Sequence, residues 1–500
     1  MTLTGGLVEA RDTPSRVPGV VRLGLLGAAE GGALGAIGFW AMHRALGDDA
    51  LITVSYARTL AASGTWGVFP GLTANTQTSP LNAWLLAAGV ALAGHPVLVA
   101  GLLYCACLAA CGWLATVLAA RCGVSPVGGW LTVGLVATSP VLVATVGLEA
   151  CLGAAVLLAV ALAATTRRTV ATGALVGLAV LTRPDLAVPA GVLALALVLV
   201  PGPDGTRRRP AHLAAAAGIA VVIALPSHLW SWFALGDAVP DTTWVRTGDR
   251  SGPSIIPAVA TWVHLYPAAA IGSIVPVVVA VGCAVWAVRR RDAAVGTEVI
   301  LLVAAGWAHL LAMQAIHAQG AGWYYGPVVT CSAAAIGLTA AATGPRITVG
   351  GLAVVGALAL AGLVTSGPLP WTAAPLVANY ARTEQYAAVG QELRGLTGGA
   401  PVEGPGELGA LAYYADVPVL DFLSEPAQTD AVMAARAARG GLRAELMRWS
   451  TLHRRPAVPI STPWHLGWGS SGVPRGRVVA TWPIDSPNRG ADTIVLSMGG

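Results

Sequence analysis

Long apolar runs separated by short polar stretches fill the chain from Val20 to Ser366, after which short, mixed segments take over. A helix needs roughly 17 to 25 apolar residues to cross a bilayer. Such runs lie at 20–42, 97–119, 127–143, 148–166, 169–182, 184–200, 211–233, 267–288, 296–316, 326–343 and 348–366, which predicts about eleven transmembrane helices. One further apolar segment, 80–94, is assigned by charge. If it crossed, Arg121, Arg167-Arg168, Arg207-Arg208-Arg209 and Arg289-Arg290-Arg291 would all face outward, against the cytoplasmic bias of basic residues. As a re-entrant or interfacial helix it leaves every cluster inside, together with Arg11, Arg16 and Arg22 around the start of the first span.

This threading makes the N-terminal tail, 1–19, cytoplasmic, with no cleavable signal pattern. It places 43–80, 234–266, 317–325 and everything after Ser366 outside the cell. The clearest chain breaker is Pro201-Gly202-Pro203-Asp204-Gly205. In the segment 371–500 charged residues return, and β-like runs at Val417-Pro418-Val419-Leu420 and Asp492-Thr493-Ile494-Val495-Leu496 alternate with helical stretches such as 428–449. Roughly 130 residues suffice for a small core. The expected fold class is therefore an α-helical polytopic membrane protein with a small C-terminal extracytoplasmic α/β domain. Its parts are the tail 1–19, a transmembrane domain 20–366 with the outer loop 43–80, and the soluble domain 371–500.

Composition agrees with a membrane protein: 55% of residues are hydrophobic and 11% charged, against about a quarter charged in soluble domains. That balance excludes a soluble enzyme of this length. The net charge is +5 and Lys is absent, so every cation other than His is Arg, a usage that reflects a GC-rich genome rather than chemistry. The seven cysteines lie in or beside apolar spans without CxxC spacing, so neither a disulfide framework nor a zinc site is expected.

Chemistry concentrates in the outward segments. Asp48 and Asp49 follow the first span, where one acid could cap a helix beginning at Ala50. Arg58 follows within the same loop, close enough for acid and base to reach two parts of one pocket, or for the Arg to snorkel. Thr78-Ser79-Pro80 reads as an N-cap followed by a proline at the first helical position. Glu149 opens a span at the outer face, where it suits the helix dipole. Arg183 and Arg246 are outward arginines that break the positive-inside trend, and such residues suit a lipid phosphate. Asp241 shares the third outer segment with Arg246, and the fourth carries His317 and Trp323-Tyr324-Tyr325, aromatics of the kind that also form interfacial belts. Acids, outward arginines and aromatics together describe a site for an anionic lipid with a polar head.

The order of these motifs resembles the polyprenyl-phosphate-sugar-dependent glycosyltransferases of the GT-C fold, in particular the bacterial arabinofuranosyl- and mannosyltransferase-like branch. The likeness runs from Gly47 to about Leu423. It rests on Asp48-Asp49, Tyr56-Ala57-Arg58, Thr78-Ser79-Pro80-Leu81, Gly147-Leu148-Glu149, Leu181-Thr182-Arg183-Pro184-Asp185, Gly236 through Arg246, and Gly409-Ala410-Leu411-Ala412-Tyr413-Tyr414 followed by Val419-Leu420-Asp421. The chain departs from the family at Ala74-Asn75-Thr76-Gln77, where an acidic or glycine-rich lead-in is usual, and at Pro240-Asp241-Thr242, where the family has Pro-Asn-Thr.

The resemblance implies an inverting membrane glycosyltransferase that moves a sugar, arabinofuranose or mannose, from a polyprenyl-phosphate donor to a cell-envelope glycan or glycoprotein on the outer face. Asp48 or Asp49 would be the general base. Arg58, Arg183 and Arg246 would bind the donor phosphate, and Thr78, Ser79, Glu149, Asp241, His317, Tyr324 and Tyr325 the rest of the substrates. No metal is expected from the residues, although the acid pair leaves room for a divalent cation. A lipid-linked sugar flippase would share the outward arginines but should show internal symmetry and polar mid-span breaks, neither of which is seen. A non-catalytic envelope scaffold would leave the outer acids dispensable.

Overall fold

The computed structural model describes residues 17–202, 204–247, 253–290, 295–365, 367–377, 379–472 and 474–499. Most of the N-terminal tail, with Arg11 and Arg16, lies outside the described residues, as do Pro203, Arg291 and Ser366. In chain order the helices are α1 (Val17–Met42), α2 (Asp48–Ser63), α3 (Pro80–Ala93), α4 (Pro96–Arg121), α5 (Val127–Thr138), α6 (Pro140–Val143), α7 (Ala150–Thr165), α8 (Thr169–Thr182), α9 (Ala187–Ala194), α10 (Ala196–Leu199) and α11 (Ala211–Trp230). They continue with α12 (Asp241–Val245), α13 (Ile255–Leu265), α14 (Pro267–Arg289), α15 (Gly296–Ala315), α16 (Gly326–Thr343) and α17 (Pro345–Thr365).

Every expected span falls on helix, and six stretches are long and apolar enough to cross a membrane: Gly19–Met42, Pro96–Arg121, Ala211–Leu235, Pro267–Arg289, Gly296–Ala315 and Gly322–Thr343. The rest are shorter apolar helices, and prolines explain several of their breaks. The residue before a proline is pushed out of the helical region. Ser139 therefore turns extended (ψ 116°) ahead of Pro140 and splits the expected span 127–143. Arg183 does the same ahead of Pro184 (φ −160°, ψ 133°), which ends α8 and turns the guanidinium off the helix surface.

Small residues set the helix spacing. A Cβ on Gly27, Gly31 or Gly112 would collide with the backbone of the facing helix, so α1 and α4 touch main chain to main chain in the manner of small-residue membrane interfaces. Arg208 donates to Thr169 Oγ1 (2.9 Å), next to Arg167-Arg168, so these two basic clusters share one end of the bundle.

Beyond α17 come α18 (Thr383–Thr397), β1 (Val402–Glu403), α19 (Gly409–Tyr414), β2 (Val419–Leu420), α20 (Pro426–Ala437), α21 (Gly441–Ser450), β3 (Trp464–Trp468), β4 (Arg477–Ser486) and β5 (Gly490–Met498). The expected helix 428–449 is divided at Gly440 and Gly441, whose φ values of 69° and 83° suit glycine. The five strands form one sheet in the order β2-β1-β3-β5-β4. β1 is parallel to both of its neighbours, whereas β3, β5 and β4 are antiparallel. The sheet does not close a core of its own. One continuous apolar cluster runs from Leu46, Leu51 and Tyr56 through Tyr386, Leu408 and Leu411 to Ile494 and Leu496.

A close contact beside that cluster joins α2 to α19. Helix α2 starts at Asp48, two residues before the expected Ala50, and its Gly47 cap supplies no side chain. The Asp48 carboxylate accepts instead from the backbone N–H groups of Leu408 (3.2 Å) and Ala410 (2.9 Å) at the start of α19. Arg58, almost three turns further along α2, donates to the carbonyls of Ala412 (3.2 Å) and Tyr413 (2.8 Å) at the other end. Acid at the N-terminus and base at the C-terminus match the dipole of the short helix. Between them Gly409 lies so close to α2 that a Cβ would collide with the Asp48 carbonyl. Gly409→Ala should therefore destabilise the purified protein by ~1–3 kcal/mol, the usual cost of overpacking. A thermal unfolding midpoint equal to wild type would contradict this.

Candidate active site

At the end of the bundle opposite Arg208, the outward segments converge on two adjoining cavities. The smaller encloses about 880 Å³ and is lined by Asp49, Thr76, Gln77, Thr78, Glu149, Arg183, Asp185, Thr242, Thr243, Arg246, Trp323 and Tyr324, among others. The larger, about 1730 Å³, is walled by Asp48, Trp262, Tyr380, Glu407, Leu408 and Phe422. Asp49, Leu148, Arg246, Trp323, Tyr324 and Leu423 belong to both.

Two charged clusters face this space. Arg246 Nη2 donates to Asp49 Oδ1 at 2.8 Å, with side chains 24% and 33% exposed. Its guanidinium carbon lies 5.8 Å from the Trp323 ring centroid. Arg183 is more deeply held. Its Nη1 donates to Glu149 Oε1 (2.6 Å), its Nε donates to Asp185 Oδ1 (2.9 Å), and the group lies 4.8 Å from the Tyr324 centroid. His309 Nε2 completes the chain on Asp185 Oδ2 at 2.7 Å. Glu149 sits at the N-cap position of α7 but gives its carboxylate to Arg183 rather than to its own helix.

The polar walls are built locally. Thr76 Oγ1 is held by Tyr56 Oη (2.6 Å) and donates to the Leu423 carbonyl (2.7 Å), which fixes the turn before α3. Gln77, in that turn, is buried, and its Nε2 has no hydrogen-bond partner among the described residues. The described residues hold no group of three or more His, Cys, Asp or Glu that could hold a metal ion.

Of the residues singled out in the sequence, Asp49, Thr78, Glu149, Arg183, Arg246 and Tyr324 line the smaller cavity. Asp48 borders only the larger one, with its oxygens on the amides of α19. Arg58 lies on Tyr413, 5.0 Å from its ring centroid, and lines neither cavity. Ser79 caps α3 in position only, with its hydroxyl unpartnered among the described residues. Asp241 pairs with Arg454 at 2.7 Å. His317, with φ of 50°, and Tyr325, whose hydroxyl donates to the Ile255 carbonyl, also stand outside the walls. Sequence reasoning quoted Gln77, Asp185 and Trp323 within motifs without giving them a role of their own, and it missed His309 and Glu407. A lone histidine within an apolar span was the available signal for His309.

Burial acts strongly on the acids of the tail side. It is the main cause, with Asp49 beside it, that pushes the Asp48 carboxyl up to about 6 despite the amide donors. Burial, opposed by Arg454, carries Asp241 to about 7. Glu407 accepts from the Tyr380 N–H (2.9 Å) and the Tyr386 hydroxyl, and burial followed by Asp48 raises it to about 8.

These elements and cavities define a multi-pass membrane protein of GT-C architecture. No family model matches the chain, and no curated protein does. Among solved structures it is similar to ArnT from Cupriavidus metallidurans bound to undecaprenyl phosphate, at 16% identity and TM-score 0.56, over 96% of this chain and 98% of that one. It is similar also to ArnT in the apo state, at 15% identity and TM-score 0.53 with the same coverage.

Glu407 gives a pH dependence of known sign. The folded state holds its protonated form, so its stabilising contribution is complete below its ordinary value and is lost as pH rises through about 8. The melting temperature of wild type should fall as pH rises from the ordinary carboxyl value near 4.5 to about 8, and Glu407→Gln should flatten that fall. Equal slopes for the two proteins would contradict the assignment.

Proposed function

We propose that the protein is an inverting membrane glycosyltransferase that moves a sugar from a polyprenyl-phosphate donor to a hydroxyl of a cell-envelope glycan or glycoprotein. The observation that carries this reading is the Asp49–Arg246 pair on the wall common to both cavities. It is supported by the fold shared with ArnT, a protein solved with undecaprenyl phosphate bound. The Arg clusters at the far end of the bundle orient the site toward the outside, with the segment 371–500 on that face. The motif order favours arabinofuranose or mannose as the sugar.

The donor phosphate enters the smaller cavity, and the acceptor approaches through the larger one. Arg183 is clamped by two carboxylates and a ring, whereas Arg246 has one carboxylate partner and greater exposure. Arg246 is therefore the cation that an incoming phosphate recruits. As it turns to the phosphate, the Asp49 oxygen it held becomes available to the acceptor hydroxyl. The hydroxyl oxygen attacks the anomeric carbon, its proton passes to Asp49, and the carbon–oxygen bond to phosphate breaks with the electron pair leaving on the phosphate. Charge grows on that oxygen in the transition state, so Arg246 and Arg183 bind it more tightly there than in the ground state.

Asp48 plays a different part, anchoring α19 to α2. With purified protein in nanodiscs and a defined donor and acceptor, Asp49→Asn should lower turnover by at least ~10²-fold, as expected for a lost general base. Asp48→Asn should act mainly on thermal stability, and Arg246→Lys should retain more activity than Arg246→Ala but less than wild type. Near-normal turnover in Asp49→Asn would sink the mechanism.

A further inference from the structure

Helix α21 carries an apolar stripe that the rest of the protein does not cover. Leu442 is 77% exposed, Leu446 52% and Trp449 69%, and Leu452, just past the helix end, is 62% exposed. The intervals of four, three and three residues put them along one side. Ala444, Met447 and Ser450 on the other side are buried. Arg443 lies to one side of the stripe, and the Arg448–Glu445 ion pair (2.5 Å) to the other. Apolar residues at helical spacing with basic residues alongside form the pattern of a helix lying in a membrane interface.

The position of α21 supplies the second, independent observation. Its last residue, Ser450, bonds to the turn that follows α11: the hydroxyl meets Asp237, and the Ser450 carbonyl accepts from the Ala238 N–H at 3.1 Å. The His453 ring centroid lies 4.9 Å from Trp232 and 4.8 Å from Phe233. Those two aromatics belong to the π-helical turn Ser231–Leu235 that closes the candidate span Ala211–Leu235. That span also exposes Val221, Val222, Leu225, Leu229 and Trp230. The stripe thus begins where a lipid-facing surface ends.

We propose that α21 is an interfacial helix, with Leu442, Leu446, Trp449 and Leu452 seated at the headgroup–acyl boundary of the leaflet that the two cavities face. The same helix and the turn after it hold the loop bearing Arg246. Arg443 donates to the Trp244 carbonyl at 2.6 Å, and Arg454 pairs with Asp241 at 2.7 Å. Seating α21 therefore sets the depth of that loop relative to the lipid. The proposal rests on the membrane placement of α11 and is independent of the reaction proposed above.

Spin labels on Leu446→Cys and Trp449→Cys, in protein whose native cysteines have been replaced, would be compared in lipid nanodiscs with a label on Arg475→Cys in the sheet region. The ratio of accessibility to oxygen over a water-soluble nickel chelate should be at least ~3-fold higher at 446 and 449 than at 475. Equal ratios would overturn the proposal. So would spin–spin broadening at 446 or 449 that disappears on dilution with unlabelled protein, since the stripe would then join two copies of the chain. Quenching by brominated phosphatidylcholine needs no cysteine replacement. Wild type should lose more fluorescence than Trp449→Phe, and identical quenching would count against the proposal.

Discussion

Adjacent residues on an α-helix point about 100° apart, so two neighbouring acids at the start of one helix reach different partners. That constraint organises the outer end of this protein. Asp48 takes the direction that faces α19 and receives its amides, and Asp49 takes the direction that faces the cavities and receives Arg246. With Arg58 at the far end of α19 and Gly409 between, α2 and α19 lock together across more than 350 residues of sequence. The segment 371–500 thereby becomes part of the site, supplying Glu407, Phe422 and Leu423 to its walls.

The smaller cavity holds its cations already neutralised: Asp49 faces Arg246, and Glu149 with Asp185 faces Arg183. An unpaired guanidinium in such a place would be costly, and breaking a buried pair costs more than its net value. Binding an anion is then an exchange of partners rather than a simple attraction. Exchange is easier at the more exposed pair, which in the proposed reaction ties the base and the phosphate site to one guanidinium. The buried cluster of Glu149, Arg183, Asp185 and His309, in which two carboxylates hold one guanidinium, is better suited to staying in place as a fixed wall.

The helical architecture was largely legible because bilayer length and hydropathy act locally and add along the chain. The convergence of Thr78, Glu149, Arg183, Arg246 and Tyr324 followed from their common outward placement and motif order. What stayed hidden depends on partners distant in sequence. Nothing near Asp48 or Arg58 announces that α19 takes both, and nothing near Asp241 announces Arg454. His309 lies in an apolar helix where hydropathy overwhelms one imidazole, while His317, in a polar loop, drew attention and lines neither cavity. The interruption at Ser139 could have been read from the proline that follows it, just as the break at Arg183 was placed between two spans. The continuous core between α2 and the sheet could not, because it needs the tertiary fold.

The central claim is that donor phosphate and Asp49 compete for Arg246. A cryo-electron microscopy map of the protein in nanodiscs with undecaprenyl phosphate bound tests it most directly. The account predicts that the Arg246 guanidinium leaves Asp49 and meets the phosphate, with Arg183 still held by Glu149 and Asp185. A map with phosphate seated elsewhere and the Asp49–Arg246 pair intact would contradict it.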